Sequence, residues 1–179
     1  MLKQKFWVAL SIISVIALTF TGCAGYEGVY SMRSYKPGMT QMRPLASKRT
    51  LIKRITAAKI QVVEEGDHLH VIIPIDHFFD IEKSTLRVSK QPALILVAEL
   101  ISLYGAGPLF VQGYSDNMGY DADNLRRSEE QANEVAAVLW AYGIDQRCIY
   151  VRGYGSKFSI ADNGSVQGRA FNRRIEITK

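Results

Sequence analysis

Cysteine is scarce in this 179-residue sequence: Cys23 and Cys148 are the only two, too few for a disulfide-stapled scaffold. Histidine is nearly as rare, with three in all. His68 and His70 lie two apart on one face of an alternating stretch, but no third ligand converges with them, so exposed strand histidines are expected in place of a metal site. Ser115 beside Asp116 has no histidine placed to activate it. No phosphate-cradling glycine loop is present either, since GAGP (Gly105–Pro108) ends a helical stretch instead of opening one. Catalysis, a metal and a cofactor are therefore not expected. The longest uncharged apolar run, Phe6 to Phe20, is also short of the roughly 20 residues that a membrane-spanning helix needs.

What that run does have is the right company for export. Lys3 and Lys5 precede it, and the small residues Thr21 and Gly22 lead to Cys23, so residues 1–22 read as a secretory signal. FTGC (Phe20–Cys23) resembles the lipobox of bacterial lipoproteins. The resemblance implies that Cys23 becomes the acylated N-terminus, held by outer-membrane lipid and facing the periplasm, with Ala24 in place of Asp favouring the outer membrane. Cys148 is then expected as a small buried apolar residue at the start of a strand.

The remaining composition, 47% hydrophobic and 22% charged, is that of a globular protein with room for one domain. Charge divides it. Residues 24–59 carry eight basic side chains against Glu27, and residues 60–179 carry twelve basic against sixteen acidic. We therefore expect a lipidated, basic, flexible arm over 23–58 and a folded domain over 59–179. The basic surplus lies outside that domain, which argues against nucleic-acid binding and suits an anionic surface or an acidic partner. Tyr26, Tyr30, Met32, Tyr35, Met39 and Met42 are residues favoured at contact surfaces. The arm is either a docking segment for envelope proteins or a spacer.

The domain's elements follow from its periodicity. KIQVVEEGDHLHVIIPI reads as a hairpin turning at Glu64–Asp67. PALILVAELISLYG reads as a helix with Leu96, Leu100 and Leu103 on one stripe, and LFVQGY as a buried strand. Leu125, Ala132, Val135, Ala136, Leu139 and Tyr142 fall at helical spacing. CIYVRGYG is a further strand, a loop follows, and RRIEITK closes as a half-buried strand. Helices separated by strands imply an α+β fold: a two-layer α/β sandwich, with a mixed sheet carrying helices on one face.

Four separated blocks then arrive in a familiar order: FFDIEKSTL (Phe78–Leu86), GYSDNMG (Gly113–Gly119), NLRRSEEQA (Asn124–Ala132) and GRAFNRRIEI (Gly168–Ile177). They resemble the OmpA C-terminal, peptidoglycan-associated domain family over roughly residues 62–178. The resemblance implies non-covalent binding of the diaminopimelate unit of a peptidoglycan stem peptide. In that reading Asp116 receives the ligand's ammonium and Asn124 stands near the pocket. The physical chemistry agrees: a zwitterionic head needs an acceptor-only carboxylate and a planar fork of donors. The fork is where this sequence departs from the family. Gln131 stands where the carboxylate-binding arginine is usual, and Arg127 where leucine is usual. Arg127 is one turn from Gln131 and either leans into the vacated place or simply pairs with Glu130. Of the pair Arg173 and Arg174, either one lines the pocket or both pair structurally with carboxylates. Loss of the arginine weakens the expected grip. The short layout is also similar to that of the OmpA-like lipoproteins of type IVB secretion systems, which implies a structural place in an envelope machine.

Overall fold

A computed structural model of the chain describes residues 46–80 and 84–179. The signal segment, Cys23 and the arm as far as residue 45 lie outside the described residues.

Strands β1 (Gln61–Glu65) and β2 (His68–Pro74) form the expected hairpin. The chain reverses at Gly66, whose φ of +60° lies in the left-handed region that glycine enters without steric cost. The last strand, β7 (Arg174–Thr178), lies antiparallel beside β2, and β5 (Leu109–Tyr114) lies antiparallel beside β7. Strand β6 (Ile149–Gly153) closes the far side parallel to β5, giving the order β1-β2-β7-β5-β6. The two-residue period sorts the side chains. Val62, Val71, Ile177, Val111 and Val151 align in one row across all five strands and turn into the core. The neighbouring row, Val63, His70, Thr178, Phe110 and Tyr150, lies on the opposite, helix-free face.

Helices α1 (Lys48–Ala57), α3 (Gln91–Ser102) and α4 (Asp121–Ala141) cover the core row. Between β2 and α3 come one short turn of helix, α2 (Ile75–Phe78), and a small ribbon of β3 (Phe79–Asp80) with β4 (Thr85–Leu86). Helix α5 (Val166–Asn172) leads into β7. The mixed sheet with helices on one face is the architecture that the sequence implied.

Four expectations need correction. The flexible arm does not extend to residue 58, because α1 is part of the domain. Ser47 caps it by accepting from the Thr50 amide, and Leu51 and Ile55, one turn apart, are fully buried. Lys48 fastens it to the edge of β1, 2.5 Å from the Glu64 carboxylate and 4.3 Å from the centre of the Tyr104 ring, whose hydroxyl also donates to Glu64. The charge division moves with it: counted from Lys48, the folded part carries 17 basic and 16 acidic side chains and is nearly neutral.

Second, α3 buries Leu94, Val97, Ala98, Leu100 and Ile101, because it is wedged between α1 and α4. Leu96 is only half-buried, and Leu103 follows the helix end and is exposed. Third, Leu125 and Tyr142 of the expected α4 stripe are exposed. The N-terminal half of α4 instead buries Asn124, Ser128 and Gln131. The cause is a close approach, since a Cβ on Gly113 would stand 1.9 Å from the Ser128 carbonyl oxygen, and one on Gly153 would stand 2.6 Å from the Glu129 nitrogen. The helix rests on bare backbone there and has no room for large apolar side chains. Fourth, Cys148 ends a 3-10 turn (Gln146–Cys148) just before β6 and is half-buried, not buried.

Candidate functional site

The sheet order makes β2, β7 and β5 neighbours, so the chain segments at one end of these strands meet. Strand β2 runs into α2, which carries Asp76. Strand β5 runs into the loop that carries Asp116. Strand β7 is entered from α5 through Arg173. A backbone bond from the Ile75 amide to the Arg173 carbonyl, 3.0 Å, fixes the first and third of these together.

Arg173 joins all three. Its Nε and Nη2 donate to the two carboxylate oxygens of Asp76, at 2.7 and 2.5 Å, in the side-on fork geometry. Its Nη1 donates to Oδ2 of Asp116. Oδ1 of Asp116 accepts the Met118 amide at 3.1 Å. Asn124, fully buried in the first turn of α4, donates to the Met118 carbonyl at 2.9 Å and to the Asp116 carbonyl at 3.4 Å, holding the loop in its turn. The Ser115 amide donates to the Gly155 carbonyl at 2.8 Å and fixes the other side of the same loop.

Two carboxylates share one guanidinium, so the cluster carries a surplus negative charge. The Asp76 hydrogen bonds, more than those of Asp116, raise the pKa of Arg173 far above its ordinary value against the opposing cost of burial, and the guanidinium stays charged at every accessible pH. The side chains of Arg173 and Asp76 remain 26% and 35% exposed and that of Asp116 11%, so all three can meet a ligand. An arginine has five N–H donors, and three are engaged here. Asp116 likewise keeps acceptor capacity beyond its two bonds. The cluster can offer an acceptor for an ammonium beside spare donors for a carboxylate.

Of the five residues singled out from the sequence, hydrogen bonds bring Asp116, Asn124 and Arg173 together. Gln131 is buried two turns further along the Asn124 face of α4 and, among the described residues, makes no side-chain hydrogen bond. Arg127 is half-buried and also makes no ion pair or hydrogen bond among the described residues. Glu130 is held by Arg126, at 2.9 and 3.0 Å. Asp76 was not anticipated, because an acidic residue just after a strand has no periodic signature. The signal available was a charge placed between apolar neighbours in IPIDHFF. Arg174 is buried and bonded to Glu176 at 2.6 Å and to the Asn172 and Phe158 carbonyls, 4.0 Å above the Tyr114 ring, which fits the structural half of the expectation. Asn172 clamps the loop before α5 by accepting the Ile160 and Ala161 amides, at 2.9 and 3.0 Å.

Comparison with known proteins shows the family to which the fold belongs. Outer membrane protein A of Bordetella avium is 38% identical over 107 residues, covering 60% of this chain and 55% of that protein. The probable lipoprotein YiaD of Escherichia coli K12 is 34% identical over 119 residues, covering 66% of this chain and 54% of that protein. The chain thus spans about half the length of these relatives. Among solved structures, the cell wall anchor of the T6SS from Pseudomonas aeruginosa superposes with a TM-score of 0.64 at 32% identity, over 73% of this chain and 93% of that one. The model of the OmpA family matches residues 78–173, a span that holds Asp116, Asn124 and Arg173 together, and the chain belongs to the OmpA family.

Proposed function

We propose that this chain is a periplasm-facing outer-membrane lipoprotein whose OmpA-like domain grips a peptidoglycan stem peptide as a non-enzymatic part of an envelope machine. The observation that carries the reading is the Asp76–Arg173–Asp116 cluster. A diaminopimelate head would place its ammonium on Asp116 and its carboxylate on the free donors of Arg173. The fork lost at Gln131 is supplied from the C-terminal motif. Because Arg173 already serves two carboxylates, the ligand shares it, and the grip is weaker than a dedicated arginine would give.

Anchorage through acylated Cys23 rests on the FTGC motif and on the similarity to the lipoprotein YiaD. A place in a secretion apparatus, of the type IVB kind suggested by the short layout, is supported by the likeness to the cell wall anchor of the T6SS. A second reading, a general tether between outer membrane and wall, draws on the similarity to outer membrane protein A.

Purified sacculi distinguish these. The full-length protein should sediment with sacculi, and Asp116→Ala should stay in solution. Equal sedimentation of both would refute the pocket. Co-purification from the envelope in the Asp116→Ala background then separates a machine component, which keeps its protein partners, from a tether, which has none to keep.

A further inference from the structure

One strand over from the Asp116 site, a groove of about 310 Å³ runs between α4 and the end of β6, lined by Leu125, Glu129, Arg152, Gly153, Tyr154 and Lys157. Its floor is backbone, because Gly153 lets the helix close to where any Cβ would collide with Leu125 and Glu129. The Arg152 guanidinium lies 5.0 Å over the Tyr154 ring. Among the described residues, neither Arg152 nor Lys157 makes an ion pair, and the Glu129 carboxylate makes none either. Neither cation is taken up by a salt bridge among the described residues.

The placement links the groove to the site already described. Strands β5 and β6 are parallel, with Gly113 opposite Gly153, so Asp116 and the stretch Tyr154–Lys157 both lie just beyond the C-terminal ends of adjacent strands. The two exits are stitched by the Tyr154 amide on the Gly113 carbonyl and the Ser115 amide on the Gly155 carbonyl, each 2.8 Å. Consecutive residues of α4 serve the two places: Asn124 holds the Asp116 loop and Leu125 lines the groove.

We infer that the groove is a second subsite, which takes a further carboxylate of the same stem peptide whose diaminopimelate occupies Asp116. This rests on the reading above. A stem peptide carries free carboxylates besides those of diaminopimelate, on a chain long enough to cross one strand spacing of about 4.8 Å. Arg152 and Lys157 supply the donors, while Leu125 and Tyr154 supply apolar surface for the peptide. Glu129 keeps the groove's surplus to a single positive charge, which suits one carboxylate and disfavours a polyanion.

Calorimetry on the full-length protein with two probes, free diaminopimelate and a disaccharide-tripeptide muropeptide, tests the inference. The wild type should bind the muropeptide more tightly. Arg152→Gln/Lys157→Gln, both surface changes, should lose about tenfold in muropeptide affinity, the scale of one charge-assisted contact, with diaminopimelate binding unchanged. A muropeptide amidated at its other carboxylates should bind the wild type as the plain muropeptide binds the double variant. An unchanged muropeptide affinity in the variant overturns the subsite, as does an equal loss for both probes. Asp116→Ala reports on the parent reading separately, because it should abolish binding of free diaminopimelate. If the wild type binds neither probe, the Asp116 pocket fails and the groove's role as its extension fails with it.

Discussion

Two arginines illustrate how context sets what a charge is worth. Arg126 pairs with Glu130 on the exposed face of α4, where such i,i+4 pairs contribute about 0.3–0.5 kcal/mol. Arg173 makes three charge-assisted bonds in a partly buried cluster of three elements. Its removal leaves two carboxylates facing each other, and after allowing for screening the cost should be about 1–3 kcal/mol. Urea denaturation should therefore place Arg173→Gln well below wild type and Arg126→Gln close to it, and similar midpoints for the two would deny the cluster its structural role. Gln131 offers the complementary change. It is buried and makes no side-chain hydrogen bond among the described residues, so Gln131→Arg would bring a second guanidinium to a cluster that carries surplus negative charge. Diaminopimelate should bind this variant tighter by about 1–2 kcal/mol, the difference between charged and neutral hydrogen bonds. A calorimetric affinity equal to wild type would show that position 131 does not reach the ligand.

At the scale of elements, what could be read in advance depended on whether one periodic signal dominated. The hairpin announced itself by two β-rich runs flanking a turn, and β5 by a short, apolar, β-rich run. Helix α1 did not, since Lys48, Arg49, Lys53 and Arg54 are interleaved with the apolar positions and made the segment read as a basic arm. Only the spacing of Leu51 and Ile55 betrayed a buried face. Leu51→Ala should cost about 2–4 kcal/mol, measured as a fall in denaturation midpoint, whereas a flexible arm would register no change. The polar row of α4 was illegible for a different reason. It answers to Gly113 and Gly153 on other elements, and no single stretch contains that information. Gly113→Ala would place a methyl against the Ser128 carbonyl and should destabilise by more than about 3 kcal/mol. Gly119→Ala meets open space at φ +88° and should cost only about 1–2 kcal/mol of backbone strain. The site divides along the same line. Asp116 and Asn124 were legible through the motif, but the Asp76 contact spans 97 residues of sequence and depends on which strands became neighbours.

For the whole molecule, the folded part is close to electrically neutral, so pH acts through individual groups. His77 on α2 is pushed below its ordinary pKa, first by burial and then by Lys90, Arg87 and Lys59. Its Nε2 accepts from Lys90 Nζ at 2.8 Å, which requires the neutral ring. The unfolded chain therefore takes up this proton at a higher pH than the folded one. Stability contributed by His77 is complete above the ordinary histidine pKa of about 6.5 and falls as pH drops from there toward the lower folded value. Thermal midpoints measured between pH 7.5 and 5 should decline, and the decline should flatten in His77→Gln. An identical slope in the variant would move the effect to another group.

The position of β7 governs when this molecule can become whole. Within the sheet, the hairpin and the β5–β6 pair are joined only through β7, which lies between them yet is formed by residues 174–178. Without β7 the strands form two half-sheets, each with an open backbone edge where β7 would pair. The pairing that unites them spans more than a hundred residues, as in His70 opposite Thr178, and such distant contacts form late and slowly. Arg173 immediately precedes that strand, so the cluster with Asp76 and Asp116 is assembled in the same closing event. The candidate site is therefore completed only when β7 takes its place between the two halves of the sheet.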